Sequence, residues 1–404
     1  MKKRVLKILT IAAIIAALTI GTAQATGFFD FSKRSQTVTI SQEEYDRLKR
    51  FEKLDTMLQF VESYYWQEPD VDAMIENAAR GLMYGLEDPY SFYYNEEEWL
   101  EMKEDDEGEY GGIGIQMLGN PDDLTVTIIR VFTGGPAEAA GVLKGDKLVR
   151  VEDVEVNMYT MQDAVNIMRG ENGGEVEIEV KRGEEYITFT MTRQIIHVNR
   201  VESAMLEDSV GYIALYEFAG DCANEFEKAF KALRDQGAKA LVVDLRDNGG
   251  GWVLDAKSIA DLFVDKGVLV YCEDRYGYKE LYETTDGKDD IPLVFLVNGN
   301  TASSSEILSG GLQDQGRAKV VGTKTFGKGI VQSVIPWDND TWGFQLTVAQ
   351  YFFSSGTPVH TIGITPDVIV EMPEEMENAY LQLGDLSDPQ LKTAWETAKD
   401  MIGQ

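Results

Sequence analysis

Gly299–Gln332 reads GNTASSSEILSGGLQDQGRAKVVGTKTFGKGIVQ. The run before its serines, IPLVFLVNG, has the continuous apolar character of a strand buried on both faces, and SEILSGGLQ places Ile307, Leu308 and Leu312 on one face of a helix. This strand–turn–helix sequence is the unit of an α/β domain. The turn between them holds Ser303, Ser304 and Ser305, and a lysine between glycines, Lys328, follows. A serine hydroxyl attacks well only when a neighbour takes its proton, and a lysine does so only when burial or like charge keeps it neutral. Lys328 suits that task, because Phe326 and Ile330 can desolvate the amine and Gly327 and Gly329 let backbones come close. Gln332, four residues on, returns to the same face in a helix or a strand, so its amide can orient the lysine. The commoner base is nearly absent: the chain holds only His197 and His360, neither in triad surroundings. Any of the three serines fits a nucleophile; Ser303, at the strand-to-helix junction, best exposes its oxygen to helix N-terminal amides. The same serines also suit a helix cap before Glu306.

A second element, AKALVVDLRDNGGGWVLDA, reads as an apolar strand ending near Asp244, then Gly249, Gly250 and Gly251, then a helix. Three glycines permit close approach and unusual torsions, so the loop can offer amides to an oxyanion; an ordinary turn is the plainer alternative. A phosphate loop is a weak reading, since neither G-x-G-x-x-G nor a G-K-[ST] ending is present. Upstream, EYGGIGIQM, LTVTIIRVF, GGPAEAAG, GDKLVRVEDVEV, MQDAVNIMRG, EVEIEVKRG and YITFTMTR alternate as strands and two helices of a small, mostly β domain. The glycine-containing loop Gly112, Ile113, Gly114, Ile115 can aim successive amides at a terminal carboxylate, and the strand after it offers an edge to an extended peptide.

With these motifs in place the chain resembles the carboxyl-terminal processing peptidases, serine endopeptidases with a Ser-Lys pair and a built-in PDZ domain. TASSSE corresponds to the family's S-A-S-A-S-E, TFGKG to its T-F-G-K-G and DLRDNGGG to its D-L-R-x-N-x-G-G. The resemblance implies Ser303 as nucleophile, Lys328 as general base, Gln332 as its partner, and an oxyanion hole of the Gly250 and Ser304 amides. It also implies a PDZ carboxylate loop at GIGI, with Ile113 and Ile115 near the pocket. Arg182 stands near where an arginine of some relatives senses PDZ docking, with a solvated charge at the strand end as the plainer alternative. Thr301, Ser304 and Gly249 depart from the usual residues but remain small. Lys324 lacks the flanking glycines and the later glutamine that mark Lys328. EDPYSFYYNEEEW and GTPVHTIGITPDVIV resemble the family too, which makes His360 structural.

Lys2, Lys3, Arg4 and Lys7 before the apolar run Ile8 to Ile20, then Ala23-Gln24-Ala25, read as a bacterial-type export signal, or as an uncleaved membrane anchor if the run extends. The formal charge of −32 argues against nucleic acid or anionic lipid as a partner. Two cysteines, Cys222 and Cys272, make no disulfide framework, and no metal-ligand spacing occurs. No metal or other cofactor is expected.

The expected fold is an α/β core with a mixed sheet and flanking helices, an N-terminal helical region and an inserted mostly β PDZ domain. The segments are a signal or anchor over residues 1–25, helices over 26–105, the PDZ domain over 106–193, the Ser-Lys core over 194–372 and an acidic helical tail over 373–404. In relatives such tails help form dimers, so a homodimer is expected. The expected function is that of an exported endopeptidase, secreted or anchored to the outer face of the cell membrane, which captures protein C-termini and cleaves through an acyl-enzyme. A PDZ adaptor without catalysis is the alternative, and a small-ligand carrier on the same core a more distant one.

Overall fold

The structure is a computed structural model and describes residues 39–120, 123–287, 289–373, 376 and 382–402. The signal or anchor read over residues 1–25 lies outside them. The chain divides into two compact units, Met1–Ile75 and Glu76–Gln404. In the first, helices Gln42–Lys49 and Glu52–Tyr64 follow the helical spacing of the sequence. Ser41 opens the former as a capping box, accepting from the Glu44 amide while its own amide donates to the Glu44 carboxylate. Neither helix contains a buried residue.

The second unit is built on a six-stranded sheet. Val210–Leu215, Ala240–Asp244, Leu293–Val297, Lys319–Gly322 and Val368–Ile369 run parallel in that order, with Val201–Met205 antiparallel at the Val210 edge. The three strands from Val210 to Val297 are buried at every position, as their unbroken apolar runs require. Their period-two alternation sorts side chains into two layers. Ile213, Leu241, Val243, Phe295 and Val297 pack under helices Cys222–Asp235, Val253–Ala260 and Ser304–Asp314, which contribute Phe226, Phe230, Ile259 and Leu308. Tyr212, Ala214, Val242, Val294 and Leu296 face the other way and are covered by helix Pro389–Ile402 through Leu391, Ala394, Trp395 and Ala398. Each fully buried Leu, Ile or Phe here contributes about 1.5–3 kcal/mol. Within the tail read over 373–404, Pro389–Ile402 is a helix, and its apolar stripe covers this chain's own sheet rather than standing free for a second copy. Cys222 and Cys272 are separate buried thiols.

A five-stranded antiparallel sheet packs onto the first helical layer through Val270, Cys272, Tyr351 and Phe353. Its spine, Trp342–Phe353, pairs with Val268–Asp274, with Ile330–Trp337 and with Phe92–Tyr94. The inserted domain has its own six-stranded sheet, closed over Ile128, Leu148, Ile178 and Met168. Glu109–Gly112 pairs with Gln194–His197, so the chain enters and leaves this domain through one two-stranded ribbon.

Candidate active site

The strand Leu293–Val297 delivers the chain to a tight turn before helix Ser304–Asp314. At its end Ser303 has φ 57° and ψ −120°, a backbone that non-glycine residues rarely adopt and that costs about 1–3 kcal/mol. The surroundings over-determine it. Thr301 Oγ1 donates to Leu245 O at 2.8 Å, Ala302 N–H to Asn248 O at 3.0 Å, and Ser303 N–H to Glu306 Oε2 at 3.0 Å. The three serines differ in what they do. Ser304 Oγ donates to Gly251 O at 2.7 Å and Ser305 Oγ to Asn248 O at 3.0 Å, both residues being buried. Only Ser303 lines the cleft, of about 700 Å³, that also holds Lys328 and Gln332.

Glu306 joins the Ser303 turn to the lysine loop. Its carboxylate is fully buried and accepts from Ser303 N–H, from Thr325 Oγ1 at 2.5 Å, from Gly327 N–H at 2.8 Å and from Lys328 N–H at 2.9 Å. Phe326 N–H adds a bond to Thr301 O at 3.0 Å. Gly329 has no alternative residue here, since a Cβ would lie 2.1 Å from the His360 backbone nitrogen. The Lys328 amine is partly buried, and burial holds its pKa below the ordinary 10.5, with the Asp88 carboxylate pulling the other way. Nζ stands 4.5 Å from the centroid of the Tyr90 ring. Gln332 Nε2 donates to Thr347 Oγ1 at 3.1 Å. Ser303, Lys328 and Gln332 thus share a cleft, but among the described residues no hydrogen bond links their side chains. Lys324 is exposed and outside that cleft.

The glycine loop closes the site from the neighbouring strand. Gly250 has φ 103°, and a Cβ on it would lie 2.7 Å from Ser303 Cβ, 2.8 Å from Ala302 O and 2.9 Å from Ser304 N, so only glycine allows this approach. Its N–H donates to Asn248 Oδ1 at 2.9 Å, while Asn248 Nδ2 donates to Leu215 O at 2.8 Å. The Ser304 amide is the first of its helix and has no acceptor within it. Behind the loop, Arg246 donates to both Asp244 oxygens, to Asp388 Oδ2 at 2.7 Å and to Gln390 Oε1 at 3.1 Å. This network ties the strand before the glycines to the C-terminal helix.

A second cleft, of about 660 Å³, runs along the inserted domain and reaches Gly249–Gly251. Ile113, Gly114 and Ile115 line it, facing Met161, Val165 and Met168 of the helix across the groove. Strand Ile115–Gly119 is the edge of its sheet, which leaves an edge for an added peptide strand. Gly112 pairs with Gln194 in the two-stranded ribbon and is not part of the lining. Arg182 lies inside the domain, with Nε and Nη2 each 2.7 Å from the Asp146 carboxylate and Nη2 2.9 Å from Gly141 O. Arg130 is the arginine that spans the junction with the core, stacking 3.8 Å from the Tyr216 ring centroid and 3.4 Å from Glu202.

Sequence reasoning missed Asp88, Tyr90, Asn248 and the bridging part of Glu306. DPYS was visible only as a family-like segment and Glu306 only as a capping residue; their contacts join residues far apart in the chain.

Comparison with known proteins agrees across the chain. Residues 209–370 match peptidase family S41, residues 127–182 a PDZ domain, and residues 13–98 the N-terminal domain of the activating protease CtpB. The carboxy-terminal-processing protease of Bartonella bacilliformis is 33% identical over 364 residues, spanning 87% of this chain and 82% of its own length. The carboxy-terminal processing protease CtpA of Bacillus subtilis is 33% identical over 335 residues, 82% of this chain and 71% of its own. Among solved structures, a photosystem II D1 C-terminal processing protease superposes with a TM-score of 0.54 at 28% identity, covering 87% of this chain and 100% of that one. A PDZ domain joined to an S41 core, with relatives a third identical over most of both chains, settles the family: the chain belongs to the carboxyl-terminal processing proteases, serine peptidases of family S41.

Proposed function

We propose that Ser303 and Lys328 cleave peptide bonds in proteins whose C-termini dock in the PDZ groove. The observation that carries this reading is that Ser303 alone of three adjacent serines faces a cleft, in a backbone strained for exposure, with a lysine in the same cleft held below its ordinary pKa. Ser303 Oγ attacks the scissile carbonyl carbon while Lys328 Nζ takes its proton. The carbonyl oxygen becomes an oxyanion facing the Ser304 amide and the Gly250 amide once the latter leaves Asn248. Collapse expels the amine, which takes the proton from Lys328, and leaves an acyl-enzyme on Ser303. Water, deprotonated by Lys328, then attacks the acyl carbon; the acid leaves as the bond to Ser303 Oγ breaks, and Lys328 returns the proton to Oγ. Gln332 orients the amine when it turns from Thr347.

The groove supports an apolar C-terminus as its ligand, through Ile113, Ile115 and Met117 with Val165 and Met168. Its reach to Gly249–Gly251 supports coupling between occupancy and catalysis. The charged, then apolar, then small-residue N-terminus supports export, which fractionation of cells expressing the full chain tests. Among the described residues no helix is long and apolar enough to cross a membrane.

The deciding experiment is cleavage of an unstructured protein with an apolar C-terminus, alongside labelling by a fluorophosphonate. The unmutated chain is expected to cut and to label, and Ser303→Ala and Lys328→Ala to do neither. A binder of C-termini without activity would hold the same protein and leave it whole.

A further inference from the structure

We infer that the turn Asp88–Ser91, through the Asp88 carboxylate and the face of the Tyr90 ring, is the positioning device for the Lys328 amine, holding it while charged and releasing it toward Ser303 when neutral. This rests on the Ser-Lys reading above and concerns residues outside its catalytic set.

The turn is rigid for reasons plain in its sequence, Asp-Pro-Tyr-Ser. Pro89 restricts its own φ, and Asp88 closes an Asx turn by accepting the Tyr90 amide at 3.0 Å and the Ser91 hydroxyl at 2.6 Å. Two bonds pin the turn to strand Trp342–Phe353: Gln345 Nε2 to Tyr90 O at 3.0 Å and Thr347 N–H to Ser91 Oγ at 2.9 Å. The pairing of Phe92 with Gln345 sets the register. Thr347 also accepts the Gln332 amide, so the turn, that threonine and the glutamine form one connected surround for the lysine. Against this surround lies the amine, 4.5 Å from the ring centroid and within the field of Asp88.

A ring face attracts an ammonium through its quadrupole and has no such hold on a neutral amine. The carboxylate discriminates in the same sense. Loss of the proton therefore removes both attractions together, and the amine that turns away is the form that can accept a proton from serine. The remaining groups around it are fixed otherwise. Glu306 is occupied by backbone amides, including that of Lys328, and Tyr351 Oη donates to Ser303 O at 3.3 Å. Gln332 is neutral. Arg80, Glu98, Glu101, Asp106 and Glu217 line the same cleft and are unchanged in the variants below.

The test uses the full chain and two readouts across pH: kcat/KM on an unstructured peptide with an apolar C-terminus, and the rate of Ser303 phosphonylation, which needs no peptide binding. Each profile is scaled to its own plateau, so a variant that folds in lower yield still reports the position of its rising limb. Asp88→Asn and Tyr90→Leu are expected to move that limb to lower pH by about half to one pH unit, which raises the rate on the limb roughly 3–10-fold relative to plateau. Tyr90→Phe, which keeps the ring face, is expected to restore the parent position. Limbs that stay within about 0.2 pH unit of the parent in both Asp88→Asn and Tyr90→Leu overturn the inference. Lys328→Ala separates the two failures: if it still cuts or labels at parental rates, it is the Ser-Lys reading that falls.

Discussion

Glu306 shows how a single buried side chain can organise the candidate site. Its carboxylate has no access to solvent and accepts four donors, two of them from the backbone of the lysine loop and one from the Ser303 amide. Glutamine is nearly isosteric but turns one acceptor into a donor that faces other donors. Glu306→Gln is therefore expected to lower unfolding free energy by about 2 kcal/mol, read from urea denaturation. Its loss of cleavage should exceed what the loss of folded protein explains, because Ser303 and Lys328 shift relative to each other. Gly250 gives a sharper case at the same scale. Gly250→Ala meets Ser303, Ala302 and Ser304 within 3 Å at a φ of 103°. Turnover is expected to fall at least ~100-fold, as for loss of an oxyanion donor. A Gly250→Ala enzyme with parental kcat would remove this loop from the mechanism.

At the scale of elements, the edge strand Ile115–Gly119 and helix Met161–Met168 form a groove whose far end is the glycine loop of the core. Gly114 has φ 79° and a Cβ there would come within 3.2 Å of Ile196 Cδ1. Gly114→Leu is expected to weaken binding of a labelled peptide with an apolar C-terminus at least ~10-fold, measured by fluorescence anisotropy, because the carboxylate loop must move to admit the side chain. If binding controls catalysis, the same variant loses kcat on proteins that need docking, while phosphonylation of Ser303 in the absence of peptide is unchanged. Equal turnover by variant and parent on such proteins would uncouple the groove from the active site.

For the whole molecule, the C-terminal helix is an integral layer. Leu391, Ala394, Trp395 and Ala398 complete the core on the face of the sheet away from helix Ser304–Asp314. Trp395→Ala is expected to cost about 3–5 kcal/mol of stability. Arg246 links that helix to the strand before the glycine loop through Asp244 and Asp388, both with nearly buried side chains. Arg246→Ala leaves two carboxylates without their cation and is expected to cost about 3–5 kcal/mol, with a larger share of activity lost than in Trp395→Ala. Equal activity loss per unit of stability in the two variants would deny Arg246 any influence on the loop.

Sequence alone determined the peptidase family and the kind of fold. Unbroken apolar runs before TASSSE and DLRDNGGG require strands buried on both faces, small residues at the turns permit close approach, and TFGKG brings a lysine with apolar neighbours; each is a local property of consecutive residues. Tertiary structure alone decided which serine stays free of the glycine loop, that the Gly250 amide rests on Asn248, that Lys328 lies on the Tyr90 ring, and that the tail covers its own sheet. These depend on contacts between segments far apart in the chain, where the direction of a side chain follows from which strand happens to be its neighbour, and residue order along one segment carries no record of that pairing.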